Sequence, residues 1–250
     1  MENLATAEMR VTPFQPASQR SADSIVFDLA AGTVRELNRS LHSDLVALGV
    51  KRVVIENPEG AHNIAVGVDA PLQIDIRGHA GYFTAGENMH AHVTVHGNVG
   101  RSLAENIMSG YVRVKGYASE SVAASGHGGL VVVEGDAGSR CGISMKGVDI
   151  VVGGSVGHMS AFMAQAGRLL VCGDAGHGLG DSLYEAVIYV RGRIEGFGAD
   201  AREEPMSDAD YAAVEDLLVR AGFNYNPKDF KRVASARTLY HWNPDANQEY

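Results

Sequence analysis

Long apolar runs are missing from this sequence. Nowhere do 18 apolar residues stand together, and Met1 to Asn3 carry no cationic stretch, so neither a transmembrane helix nor a signal peptide is expected. Basic runs are missing too: Lys and Arg total 21 against 30 Asp and Glu, a net charge of −9, which leaves no footprint for nucleic acid or for an anionic membrane. An acidic, cytoplasmic protein is the expectation. Cysteine is nearly absent, since Cys141 and Cys172 are the only two, too few to hold an iron–sulfur cluster. A G-x-S-x-G elbow is absent as well, which removes the usual serine-nucleophile reading.

What is present is repetition. Gly78, Gly97, Gly116, Gly135, Gly154, Gly173 and Gly192 follow one another at intervals of 19 residues. Four residues before each stands an aliphatic side chain, from Ile74 and Val93 through to Ile188, and two before each another, from Ile76 to Val190. A fixed period near 20 marks a solenoid, in which each repeat buries its apolar face by stacking on its neighbours. Nineteen residues are too few for a strand, a crossover helix and two loops. Two or three short strands joined by tight turns fit, and 27 of the 30 glycines lie between Gly60 and Gly198. A second inward column follows each corner glycine by two (Ala80, Val99, Ala118, Ala137, Val156, Ala175, Ile194), and a column of small residues by seven (Ala85, Ala104, Ala123, Gly142, Ala161, Gly180). Parallel crossovers are right-handed in the great majority of sheets. The predicted fold is therefore all-β, a right-handed parallel β-helix of about seven coils over residues 61–198. Left-handed hexapeptide helices would instead give 18 residues per coil.

The flanks read differently. Residues 1–23 are polar and aperiodic and are expected to form a disordered tail. Residues 24–60 make an α/β N-terminal cap: a strand from Ser24 to Leu29, a helix from Val34 to Leu48 behind a Thr33/Glu36 capping box, and a strand from Lys51 to Ile55. Residues 199–250 hold a C-terminal helix, opened by Ser207 and Asp210 and closed by Gly222, and then an extended arm with Tyr240 and Trp242.

One outward column sets the candidate interface. Three residues before the corner glycines stand Asp75, Thr94, Arg113, Val132, Val151, Leu170 and Tyr189, so the column turns apolar halfway along. Val132, Val151, Leu170 and Tyr189 must be covered, by the chain's own tail or by another subunit, and are taken as the candidate partner interface. Other groups carry less. Gly176-His177-Gly178-Leu179-Gly180 lacks the helix that a phosphate loop must open, and reads as a solenoid corner. His158 and His177 stack one coil apart without the third ligand that zinc wants, and read as a polar ladder. Asp136 and Asp174 lie two coils apart, too far for a carboxylate pair. No catalytic, cofactor-binding or metal-binding residue is assigned.

Longer strings carry a family likeness. Ser139 to Gly147 (SRCGISMKG), Gly157 to Gly167 (GHMSAFMAQAG), Gly180 to Ala186 (GDSLYEA) and the stretch Asp229 to Tyr240 resemble the C-terminal β-helix (GXGXG) domain of the glutamate synthase large subunit, most of all its free-standing form in N-methylglutamate synthase. The resemblance spans about Val50 to Trp242. It implies a complex of three parts: a glutamine amidotransferase with an N-terminal cysteine, a synthase carrying FMN and an iron–sulfur cluster, and this β-helix. The chain begins Met1-Glu2 and has two cysteines, so it is expected to be neither catalytic partner but the scaffold that holds them in register. A conventional glutamate synthase and the β-helix subunit of formylmethanofuran dehydrogenase or of the formyltransferase/hydrolase complex are the alternatives. A polysaccharide-binding solenoid would want an acidic or basic outward column, and none stands out.

Overall fold

The computed structural model describes residues 23–238. Residues 1–22 of the tail expected over residues 1–23, and Tyr240 and Trp242 of the arm, lie outside the described residues. The strands form one sheet, and the chain is a β-solenoid of about seven turns. β1 (Ser24–Asp28), β2 (Arg52–Glu56), β3 (Gln73–Ile76), β4 (His92–Val95), β5 (Tyr111–Val114), β6 (Leu130–Val133), β7 (Lys146–Val152), β8 (Ala166–Val171) and β9 (Val187–Val190) pair in sequence order, all parallel. The 19-residue columns are the register itself: Ile74 pairs with Val93, Val93 with Val112, and so on to Leu169 with Ile188. Their inward side chains are buried in one continuous core. The second inward column forms its own parallel bridges, from Ala80 with Val99 to Ala175 with Ile194.

A third wall of each coil was read from the sequence only as turns. The residues five, seven and nine after each corner glycine from Gly78 to Gly173 have left-handed backbone, as at Phe83, Ala85 and Glu87 (φ +59°, +55° and +55°) and again at Ser102, Ala104 and Asn106 (φ +61°, +53° and +55°). Such conformations cost about 1–2 kcal/mol each for residues with a Cβ. Hydrogen bonds between coils offset that cost. Phe83 and Glu87 donate their N–H groups to Arg101 and Glu105 of the following coil, at 3.0 and 2.7 Å, while Ala85 donates to Ile64 of the preceding one at 2.9 Å. The alternation satisfies a stretch of backbone that has no strand geometry. The small-residue column is the middle member of each triplet, so its residues are small for two reasons: no interior room, and a backbone that penalises large or branched side chains.

The cap is continuous with the sheet. Thr33 and Glu36 form the expected capping box and open α1 (Val34–Arg39), which passes through a π-helical turn (Ser40–Asp44) into α2 (Leu45–Ala47). Leu37, Leu41 and Leu45 are buried with Phe27 and Ile64, which closes the open end of the solenoid. Asn38 ties this helical run to the first left-handed loop, donating to the Asn63 carbonyl and accepting from the Ala65 N–H.

The other end departs from expectation. Of the predicted arm, residues Lys231–Ser235 are strand β11, which pairs antiparallel with β9 and with β10 (Ala201–Glu204). These two strands cover the β9 edge, which would otherwise present unpaired backbone. Between them lies α3 (Asp208–Ala221), with the expected Ser207/Asp210 capping box and a left-handed Gly222 (φ +71°) at its end.

Candidate functional site

The outer face of the sheet is where the sequence placed the interface. The structure brings Val132, Val151, Leu170 and Tyr189 together, but under the chain's own helix. All four are buried, in a second core that joins them to Leu130 and Cys172 and to Val214, Leu217, Leu218 and Ala221 of α3. The proposed partner interface is thus corrected: the column needed a cover, and α3 with Phe230 supplies it. The physical reason is the polarity step itself, because an apolar half-face beside an amphipathic helix of the same chain is buried without association entropy.

Ion pairs fix the helix in place. Asp149 accepts from Arg168 at 2.6 Å and from Arg220 of α3 at 2.8 Å, and Asp216 of α3 lies against both arginines. At the other end of α3, Asp210 accepts from the Tyr189 hydroxyl at 2.8 Å and from Arg232 at 3.1 Å, and Arg232 also pairs with Glu204. Arg113 donates to the Ala221 carbonyl at the helix C-terminus, at 2.9 Å, and pairs with Glu134 at 2.6 Å. Burial pushes the Asp210 carboxyl up, but the Ser207 cap, the Tyr189 hydroxyl and Arg232 outweigh it and hold it below the usual value. Glu204 is held low by Arg202 and then, against burial, by Arg232; burial pushes the Glu134 carboxyl up, but Lys115 and Arg113 together outweigh it and hold it low. A carboxyl depressed in the folded state adds stability that is fully present above its unfolded pKa, about 4, and lost as pH falls through the folded value. Protection of the α3 amides against hydrogen exchange is therefore expected to be flat between about pH 5 and 8 and to fall below about pH 4. Loss of protection beginning near pH 6 would contradict this assignment.

Smaller features resolve into structure. At the residue after most corner glycines, side chains cap the next coil: Asp136 accepts from the Ser155 N–H at 2.7 Å, the Ser155 hydroxyl from the Asp174 N–H at 3.0 Å, and Asp174 from the Arg193 N–H at 2.7 Å. Asp136 and Asp174 are members of that ladder. In the Gly176 to Gly180 stretch, Gly178 and Gly180 (φ +73° and +68°) hold the left-handed positions that other residues hold in earlier coils. His177 lies 3.7 Å from Glu195, and among the described residues no group of three or more His, Cys, Asp or Glu is placed to hold a metal ion. Cys141 sits inside the solenoid and Cys172 under α3, and burial pushes both thiols up to about 12.

Several of the exposed large apolar side chains are on the early coils. Tyr82, Phe83, Met89, Met108 and Tyr117 are large apolar side chains exposed by 38–54%. Tyr82 stacks on His62 with ring centroids 4.4 Å apart, beneath Arg101. Tyr117 borders an open groove with His79, Asn98 and Gly100. The sequence carried a signal for this set, since all five stand off the inward columns. No described helix is long and apolar enough to cross a membrane.

No family model matches the chain. Protein GlxC of Rhizobium meliloti (strain 1021) is 51% identical over 226 residues, which cover 90% of this chain and 99% of that protein. Identity at that level over nearly all of both chains carries the solenoid, its cap and α3 together, and this chain belongs to the GlxC family.

Proposed function

We propose that this chain is the scaffold subunit of a glutamate synthase-like complex that forms N-methylglutamate, holding a glutamine amidotransferase-like subunit and an FMN-binding synthase subunit in register. The observation that carries the reading is a set of large apolar side chains on the early coils: Tyr82, Met89, Met108 and Tyr117 are exposed, on a frame whose strands β3 to β5 pair in one register. Exposed aromatic and methionine side chains on a rigid support are what protein interfaces use. The strings that resemble the glutamate synthase β-helix supply the identity of the partners. FMN and the iron–sulfur cluster belong to the synthase subunit in this reading. The chain's own thiols do not fit a cluster, being sealed in separate cores.

The test is co-expression with the products of the neighbouring genes, asking whether an amidotransferase-like and a flavin-binding subunit are among what binds. Both are expected to co-purify with the chain. Changing Met108 and Tyr117 together to aspartate should lower their recovery at least about tenfold, while circular dichroism of the variant is unchanged. Full recovery with the double variant, or turnover of substrate by the chain alone, would overturn the reading.

A further inference from the structure

The outer surface of the left-handed wall is a strip that carries a hollow toward one end and large apolar side chains toward the other. Its centre, on the coil after Gly116, is lined by Ser121, Ala124 and Ser125, all small. Two coils toward the N-terminus is a hollow of about 270 Å³ over Gly86, edged by Phe83 and Glu105. Two coils toward the C-terminus, at the positions that correspond to Phe83 and Gly86, stand Met159 and Phe162, both partly exposed, beside Met163, which is 39% exposed. The charges are arranged likewise. Glu105 lies on the N-terminal side and Arg140 on the C-terminal side, and neither makes a side-chain hydrogen bond or ion pair among the described residues.

We propose that this strip binds a second copy of the chain, face to face, about a two-fold axis that crosses the coils at Ser121 and Ser125. That operation lays the coil of Phe162 on the coil of Gly86. Phe162 of each copy then enters the hollow over Gly86 of the other, and Met159 meets Phe83. Arg140 comes within side-chain reach of Glu105, three positions along the opposing coil. Each contact occurs twice, as an isologous interface requires. A flat, small-residue centre lets the two walls approach, and the methionines adapt to the ring opposite. Five coils at about 4.8 Å give a strip roughly 24 Å long, a small interface, so micromolar affinity is expected.

The full-length chain alone, examined by sedimentation velocity from about 0.5 to 50 µM, is expected to shift from its monomer mass of 26.5 kDa to twice that value. Phe162→Glu should raise the dissociation constant at least ~100-fold and Arg140→Glu at least ~10-fold. The double change Arg140→Glu with Glu105→Arg should restore it to within about threefold, a recovery that misfolding cannot produce. Far-UV circular dichroism and the thermal midpoint report that each variant is folded. A wild-type chain that stays monomeric at 50 µM, or a dimer that ignores Phe162→Glu and Arg140→Glu, overturns the proposal. So does a chain that is monomeric alone but loses the flavin-binding subunit on Phe162→Glu, which would give the strip to a different protein. Met108 and Tyr117 are outside the contacts named for this strip, so the scaffold reading is tested separately.

Discussion

Replacing Gly97 with alanine is expected to lower the thermal midpoint by about 10 °C, corresponding to roughly 4 kcal/mol for a chain of this size. A Cβ on Gly97 would lie 2.6 Å from the carbonyl carbon and oxygen of Gly78, and 2.8 Å from the His79 nitrogen. All of these are backbone atoms of the preceding coil, so no side-chain rotation relieves the contact. Moving the coils apart would stretch the flanking bonds, His96 N–H to the Ile76 carbonyl and Asn98 N–H to His79 Nδ1, both 2.9 Å. Gly222 is the control. Nothing lies within 4 Å of a Cβ built there, and its φ of +71° is the only obstacle, so Gly222→Ala should cost about 1 kcal/mol. If Gly97→Ala melts within about 2 °C of the wild type, corner glycines are there for turning rather than for close stacking, and the account of the coil is wrong.

The inward columns were legible in the sequence because β-strand alternation puts a side chain at every second position and stacking repeats it every coil. Ile74 and Ile76 announce themselves through Val93 and Val95. The left-handed wall was not legible for the opposite reason. Its conformation is set by hydrogen bonds between coils, and residues as unlike as Phe83, Ser102, Arg140 and Met159 share it at φ +59°, +61°, +57° and +57°. No local propensity reports that. Gly142, Gly178 and Gly180 carry a visible sign, and in isolation the last two resemble a phosphate loop. β10 and β11 were missed because Ala201–Glu204 and Lys231–Ser235 are short and polar on one side; their pairing is long-range, across α3.

The interface expectation failed in an instructive way. Polarity along the column correctly showed that Val132 to Tyr189 had to be covered, but polarity carries no label for the owner of the cover. The owner was encoded elsewhere, in the spacing of Val214, Leu217, Leu218 and Ala221, which form the buried stripe of α3. Two apolar surfaces in one chain, joined by a short connection, satisfy each other before any partner arrives. Partner surfaces are then sought where large apolar side chains have no counterpart in the same chain, as at Tyr82, Met108 and Tyr117.

Val151→Asp should detach α3 and leave the solenoid standing. Val151 is fully buried beneath the helix among apolar side chains, and the nearby arginines, Arg168 of the neighbouring strand and Arg220 of α3, are already held by Asp149 and Asp216. Keeping it buried would cost several kcal/mol. Lifting the helix instead exposes Val214, Leu217, Leu218 and Ala221, each large side chain worth about 1.5–3 kcal/mol when buried, but it returns the conformational entropy of the helix. The inner neighbours Ile150 and Val152 belong to the other core and keep their partners in β6 and β8. Amides of Asp208–Ala221 should therefore lose most of their exchange protection, by a factor of about 100 or more, while β3 to β8 remain protected. The two ion pairs that join helix to sheet, Arg220 with Asp149 and Arg168 with Asp216, would break in the same step, so raising salt should not restore docking. Protection lost everywhere at once would mean that the two cores form one cooperative unit. Protection retained in α3 would mean that the helix is held by its ion pairs rather than by the apolar column it covers.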